Sequence, residues 1–293
     1  MLWIVGVLAV FAAIIGGFLM EKGSIFVLLQ PSEILIICGA TLGALVAGNP
    51  LHVLKKIVAS LFSVLRGSKY SKESYVELLR MMLLLFNKAR KRGLVDLESD
   101  IEDPEKSPVL TKFPAFLRNH HAREFLCDTM RMAITGGASP FDLDQMMELD
   151  MEVHHASASL PASALATVAD ALPGMGIVAA VLGVVLTMSA LSGPPEAIGQ
   201  KVAAALVGTF LGILLCYGVV GPLASVLSKM VDDEHAYYHV LRVVMLSYLK
   251  GMPPTVAVEV ARRAVPEHVR PSFQELEQAC RQKEAAAEAT AAA

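Results

Sequence analysis

Four stretches of the chain carry no charge over the length that a bilayer helix needs, roughly 20 mostly apolar residues. They run from Leu2 to Met20, Ile34 to Leu54, Ala171 to Gly193 and Val202 to Ser228. A Lys or Asp at the centre of a span costs roughly 2.5–3.5 kcal/mol to insert, so four such runs predict four transmembrane helices. The first run lacks a basic segment before it and reads as a retained span rather than a secretory signal. Between the second and third runs the pattern changes. From Glu73 to Arg90 the apolar residues Tyr75, Leu78, Leu79, Met82, Phe86 and Ala89 fall on one face at helical spacing. Gly93 reads as the stop of that helix. Asp103-Pro104 breaks the chain, Phe113-Pro114 begins a further helical stretch, and Gly136-Gly137 precedes an acidic helix from Asp142 into His155. Asp232 to Tyr248 is again helical, and the alanine-rich tail from Lys283 has nothing to bury and reads as frayed or disordered. The expected fold is all-α, a polytopic membrane protein with four transmembrane helices and a helical cytoplasmic domain. Residues 1–54 hold spans one and two, 55–165 the cytoplasmic helical domain, 166–228 spans three and four, and 229–293 a C-terminal cytoplasmic region.

Composition sharpens this picture. Hydrophobic residues make up 54% of the 293 positions and charged ones 18%, against about a quarter charged in soluble domains. The formal net charge of −3 gives no footprint for nucleic acid. The segment from 55 to 165 holds fifteen Lys and Arg, and the tail after Ser228 holds eight. The connection Glu21–Glu33 has only Lys22, and Pro194–Lys201 only its terminal lysine. Basic loops stay on the cytoplasmic side. The chain is therefore expected to cross a membrane with both termini cytoplasmic and two short loops outside. Cys38, Cys127, Cys216 and Cys280 are far apart and suggest neither a disulfide framework nor a zinc site.

Small residues recur at four-residue spacing inside the spans: Ala9, Ala13 and Gly17; Gly39 and Gly43; Ala44 and Gly48; Ala179 and Gly183; Gly208 and Gly212. Such faces allow close backbone approach in lipid, either within the chain or between chains. Pro173, flanked by Gly174 and Gly176, and Pro222, beside Gly218 and Gly221, predict kinks that are static or act as hinges. An ion-conducting protein usually holds an ionisable group inside the membrane, and none stands near mid-span here. The available groups are Asp170 at the cytoplasmic edge of span three and the neutral Thr41, Thr187, Ser189, Thr209, Tyr217 and Ser225. If ions pass, a partner chain is expected to supply the titrating carboxylate.

Outside the membrane, Lys88, Arg90, Lys91 and Arg92 end one helix and Asp96, Glu98, Asp100, Glu102 and Asp103 follow. These charges complement helix dipoles, and they also make a docking surface whose complementarity fixes register. His235 and His239 lie four residues apart after three acidic residues, and His154-His155 follows Glu152. Both pairs read as solvated histidines rather than metal ligands. No nucleophile elbow, P-loop, dinucleotide fingerprint or metalloprotease motif occurs, so neither an enzyme activity nor a cofactor is expected.

The segment Gln30-Pro-Ser-Glu-Ile-Leu-Ile-Ile-Cys-Gly-Ala-Thr-Leu-Gly resembles the start of the second span in the MotA family of flagellar stator proteins. Arg90 to Pro104 resembles that family's charged cytoplasmic motif. Asp170 to Val185 resembles its third span, Ala205 to Ala224 its fourth, and Arg270-Pro-Ser-Phe-Gln-Glu-Leu-Glu277 its C-terminal signature. The resemblance covers Met1 to about Arg281. It implies a homo-oligomeric ring, a pentamer, around a dimer of a MotB-type single-span partner that anchors to peptidoglycan and carries the ion-binding aspartate. Ion flow becomes torque on a FliG-type rotor switch protein. Arg90 and Glu98 fall on the family's rotor-contacting charges, Pro173 and Pro222 on the coupling prolines, and Thr209 on a pore-lining threonine, with Ala180 and Asp170 along the same ion path.

The nearest rival is an ExbB- or TolQ-like energising subunit, which usually has three spans and lacks the Arg90–Glu98 motif. A self-contained transporter needs the intramembrane acid that is missing. The sodium-using branch of the family reads Gly-Thr-Leu-Ile-Gly where this chain has Ala179-Ala180-Val-Leu-Gly183. With a methyl at Ala180 and a hydroxyl only at Thr209, sodium is short of oxygen ligands, so the expected ion is the proton.

Overall fold

The computed structural model describes residues 2–188 and 194–280. Ser189, the end of the predicted third span and the alanine-rich tail lie outside the described residues. The labelled helices are α1 (Leu2–Met20), α2 (Pro31–Gly48), α3 (Leu51–Arg66), α4 (Lys72–Arg92), α5 (His120–Thr135), α6 (Pro140–Met188), α7 (Pro195–Leu215), α8 (Gly221–Leu249) and α9 (Pro254–Ala264). No strand occurs among the described residues. Four helical stretches are long and apolar enough to cross a membrane: Leu2–Met20, Ile25–Gly48, Pro140–Met188 and Ile198–Leu249. The all-α expectation with four spans therefore stands.

The boundaries differ from the sequence reading in instructive ways. The second charge-free run is not one helix. Proline disfavours helical conformation in the residue before it, and Asn49 before Pro50 is extended, at φ −133° and ψ 139°. Its side-chain amide donates to the Leu45 carbonyl at 2.9 Å, and the amphipathic helix α3 starts afresh at Leu51. Conversely, α6 joins the acidic helix and the third span into one 49-residue helix that passes through Pro161 and Pro173. The fourth span is interrupted instead. A π-helical turn, Cys216–Val220, separates α7 from α8. Pro222 lacks the N–H that would continue the ladder and its ring crowds the carbonyl four residues back, so a widened turn just before it is the local solution.

By contact density the chain forms two compact units: Met1–Gly67 with Ala158–Met230, and Ser68–Ser157 with Val231–Ala293. In the first unit, one apolar cluster gathers Val53, Ile57, Leu165, Leu223 and Leu227, with Trp3 packed against it. Another gathers Ile37, Ala169, Leu172, Ala179 and Cys216. The chain's single tryptophan donates its indole N–H to the Val219 carbonyl at 3.2 Å, satisfying an acceptor inside the π turn.

The second unit has one large core built on α4, α5, α8 and α9. The predicted face of α4 is buried in full, and Met81 and Leu85 are buried as well. More of this helix is buried than the one predicted face, while Glu73, Glu77 and Arg90 stay exposed. Phe86 stacks on Tyr248 at 4.0 Å. Gly93 at φ +91° and Gly136 at φ +73° end α4 and α5 in a region that favours glycine. Arg242 on α8 ties to α6 through Asp144 at 2.6 Å and Glu148 at 3.3 Å. Cys127 is a buried filler, and burial pushes its thiol up to about 11.

Candidate functional site

The third and fourth spans meet through glycine. A Cβ on Gly176 would lie 2.9 Å from the Gly208 carbonyl, and one on Gly212 2.6 Å from the Leu172 carbonyl. A Cβ on Gly183 would lie 2.7 Å from the Ala205 methyl. The small faces of spans three and four are thus spent on each other within the chain. Gly39 and Gly43 on α2 are different: they are exposed, and an added Cβ would meet nothing within 4 Å.

Ala180 and Thr209 lie half-buried next to this contact, Ala180 one residue after Ala179 and Thr209 one after Gly208. The Thr209 Cα stands 3.4 Å from where a Gly176 Cβ would be. Thr187, by contrast, spends its hydroxyl on the Gly183 carbonyl at 2.8 Å. Asp170 is exposed on α6. Pro173 is half-buried within the unbroken α6, and Pro222 is the second residue of α8, directly after the π turn. The π turn itself was not legible in the sequence, although the pairing of Gly221 with Pro222 marks its place. A Cβ on Gly221 would sit 2.8 Å from the Cys216 carbonyl.

Glu33 was missed. The charge-free run was counted from Ile34, but the helix begins at Pro31, and Glu33 is 5% exposed. Its position at the edge of an apolar run, two residues after a proline that can start a helix, is the signal that could have found it. Glu33 lies inside the candidate span Ile25–Gly48, so the spans are not free of carboxylates.

In the second unit the charged cluster separates into two kinds. Lys88 pairs with Asp100 at 2.6 Å and with Asp96 at 3.5 Å, and Arg92 stands 3.9 Å from Asp96. Asp100 is fully buried and also accepts a hydrogen bond from the Ser107 hydroxyl at 2.5 Å. The Asp100 hydrogen bond holds the Lys88 ammonium above its ordinary value against the opposing effect of desolvation. These charges are structural. Arg90 and Glu98 are exposed and make no ion pair among the described residues. Arg90 lines a cleft of about 310 Å3 with Leu94, Tyr248, Met252 and Pro253.

His154, His155 and His235 are half-buried rather than simply solvated, as the sequence reading had it, while His239 is exposed. The His155 and His235 rings stand 4.8 Å apart, and those of His121 and His154 3.7 Å apart, with Tyr238 at 5.2 Å from both of the latter. Burial, then neighbouring positive or titrating groups, holds His121, His235 and His239 below the usual imidazole value. Glu234 faces His154 at 3.6 Å and accepts from the Tyr70 hydroxyl at 2.9 Å. Burial pushes that carboxyl up, and these two partners outweigh it and hold it below the ordinary value. Among the described residues no group of three His, Cys, Asp or Glu is arranged to hold a metal.

Comparison with known proteins agrees over nearly the whole chain. Residues 4–93 match Motility protein A N-terminal, and residues 117–239 match the MotA/TolQ/ExbB proton channel family. Motility protein A of Escherichia coli (strain K12) is 39% identical, covering 95% of this chain and 94% of the relative. Chemotaxis protein LafT of Vibrio parahaemolyticus is 35% identical over 93% of this chain and 95% of the relative. Among solved structures, the flagellar MotAB stator complex from Bacillus subtilis matches with a TM-score of 0.70 at 26% identity, covering 87% of this chain and 92% of that one. The chain belongs to the Motility protein A family, within the wider MotA/TolQ/ExbB proton channel family.

Proposed function

We propose that this chain is the stator subunit of a bacterial flagellar motor, which converts proton flow into torque together with a MotB-type single-span partner. The observation that carries this reading is the 39% identity to Motility protein A across 95% of the chain. The likeness to a MotAB stator complex supports assembly with such a partner in an oligomer. The partner supplies the titrating carboxylate that mid-span positions here lack, and several copies, five in the family arrangement, ring it in the inner membrane and its lipid.

Residues 1–54 and 166–228 form the membrane part, and 55–165 with 229–293 the cytoplasmic part, with both termini cytoplasmic. Ala180, Thr209 and Asp170 lie along the ion path, on the helix pair packed through Gly176, Gly208 and Gly212. A proton needs only titratable groups and a hydroxyl or water relay, and one threonine position with a methyl opposite suits it better than sodium. Arg90 and Glu98 engage the FliG-type rotor protein. Their freedom from ion pairs among the described residues supports this, because Lys88, Asp96 and Asp100 beside them are already committed within the fold. Pro173 and Pro222 couple ion passage to movement, and the π turn before Pro222 gives that helix a site that can change pitch.

The test is motility. In a strain lacking its own stator genes, this chain expressed with its partner should restore swimming, and the chain alone should not. Speed should collapse with a protonophore and ignore external sodium at fixed pH. Speed that tracks sodium and survives the protonophore contradicts the proton assignment. No swimming with the partner present, despite assembled complex, contradicts the stator reading.

A further inference from the structure

The first unit holds a carboxyl that the ion path described above does not use. Glu33 on α2 is 5% exposed, and its Oε2 is buried without a hydrogen-bond partner among the described residues. The carboxyl ends at the contact between α6 and α7. A Cβ on Gly208 would lie 2.7 Å from Glu33 Oε2 and 3.2 Å from the Ala179 methyl. Gly208 therefore provides the space the carboxyl occupies, and Glu33 lies against the residue just before Thr209.

One and two helical turns further along the same face, at four-residue spacing, are Ile37, fully buried, and Thr41. Thr41 is buried too, and its hydroxyl also lacks a hydrogen-bond partner among the described residues. A single stripe of α2 thus carries two unsatisfied polar groups against apolar helices. Native interiors rarely leave such groups orphaned without a use.

The charges on the packed elements do not balance a carboxylate at this place. On α7, Lys201 donates to the Leu186 carbonyl at 3.3 Å, and Glu196 lies near the start of the helix. The portion of α6 in this unit carries only Asp170, which is exposed and nine residues before Ala179. Glu21 and Lys22 follow α1, and among the described residues neither satisfies Glu33 Oε2. An isolated ionised carboxylate in an apolar site is costly enough that such groups neutralise instead.

We propose that Glu33 is a proton-binding site belonging to this chain, held as the neutral acid and exchanging its proton with water on the Thr209 side of the α6–α7 contact. The carboxylate takes a proton from a hydronium ion and returns it to a water molecule, so only O–H bonds are made and broken. The direction of transfer rests on the ion path proposed above, whereas the protonated state of Glu33 does not.

The experiment uses the complete complex of this chain with its partner, reconstituted in lipid. Infrared spectra in H2O and D2O should contain a carbonyl band of a protonated carboxylic acid that is lost in Glu33→Gln. An unchanged spectrum in that variant, or no such band in the unmutated complex, overturns the proposal. Proton flux is measured on the same vesicles. Glu33→Gln is nearly isosteric, and the complex should assemble while most flux is lost and the remainder no longer follows the original pH profile. Glu33→Asp should regain part of the flux. A purely structural carboxyl predicts full flux with an unchanged pH profile in Glu33→Gln, and that result overturns the transfer role. Absence of flux in the unmutated complex counts against the ion-path reading, and the infrared band still decides the state of Glu33.

Discussion

The two compact units bury their residues by different means. Ser68–Ser157 with Val231–Ala293 is held as soluble domains are, by large side chains around α4 and by ion pairs, including Lys88–Asp100, whose carboxylate is fully buried, and Arg242–Asp144. Met1–Gly67 with Ala158–Met230 has small apolar clusters and leaves Val181, Leu182, Val185 and Leu186 exposed. Its closest contacts are between backbones, at Gly176, Gly208 and Gly212. With lipid as apolar as leucine, burial of hydrocarbon gives little drive for helix association, and close approach of small residues takes over. The difference teaches where each unit is vulnerable: the first to an added methyl, the second to a lost charge.

The largest expected effect is at the buried pair. Asp100→Ala leaves Lys88 and the Ser107 hydroxyl without their main partner, and breaking such a pair typically costs about 3–5 kcal/mol. Thermal unfolding of the purified full-length chain should shift down sharply, while Glu98→Ala, two residues away, should not shift it. Equal shifts would mean that the two kinds of charge are not distinct.

Next in size is Gly212→Ala. One methyl against the Leu172 carbonyl forces α6 and α7 apart, and overpacking of this kind typically costs about 1–3 kcal/mol. Loss of the assembled complex on size-exclusion chromatography is the expected result. Gly39→Ala, with open space in this chain, should leave the chain's own folding intact. If Gly39→Ala instead breaks only the oligomer, that face of α2 contacts another copy.

A smaller effect concerns pH. His121, His235 and His239 bind protons less readily in the folded chain than their ordinary value of 6.5. As pH falls through that value, the unfolded chain takes up protons first, so stability is intact above it and declines on acidification until the folded-state values are passed. Glu234, held below its ordinary 4.5, extends the same trend to lower pH. The unfolding midpoint should therefore fall between about pH 7.5 and pH 5.5, and the slope should flatten in His121→Phe. A midpoint that rises on acidification contradicts the lowered proton affinity of these rings.

The smallest structural effect is at Pro222. In Pro222→Ala the complex should still assemble, since the ring is only half-buried, while motor torque falls. Loss of assembly would make the kink a static packing feature.

Much of this was legible in advance, and the misses have physical causes. Spans, helix stops at Gly93 and Gly136, and the buried face of α4 follow from local composition and period. The break at Asn49-Pro50 was hidden because both sides of it are apolar. The continuity of α6 was hidden because the acidic stretch and the charge-free run differ in composition and read as separate helices, with Pro161 and Pro173 tolerated inside the single helix. Counting uncharged runs excluded Glu33 by one residue. Which of the clustered charges are internal could not be read from spacing, because Lys88 and Arg92 lie four residues apart on one helix, yet only Lys88 reaches the buried Asp100 and Arg92 stays exposed.

The proposed division between an ion-conducting unit and a rotor-engaging unit is tested most directly by measuring proton flux and motor torque on one variant, Arg90→Glu with Glu98→Lys. The account predicts assembled complex with unchanged flux and torque lost, restored by reversed charges on the rotor protein. Flux lost together with torque, or torque unchanged, would contradict it.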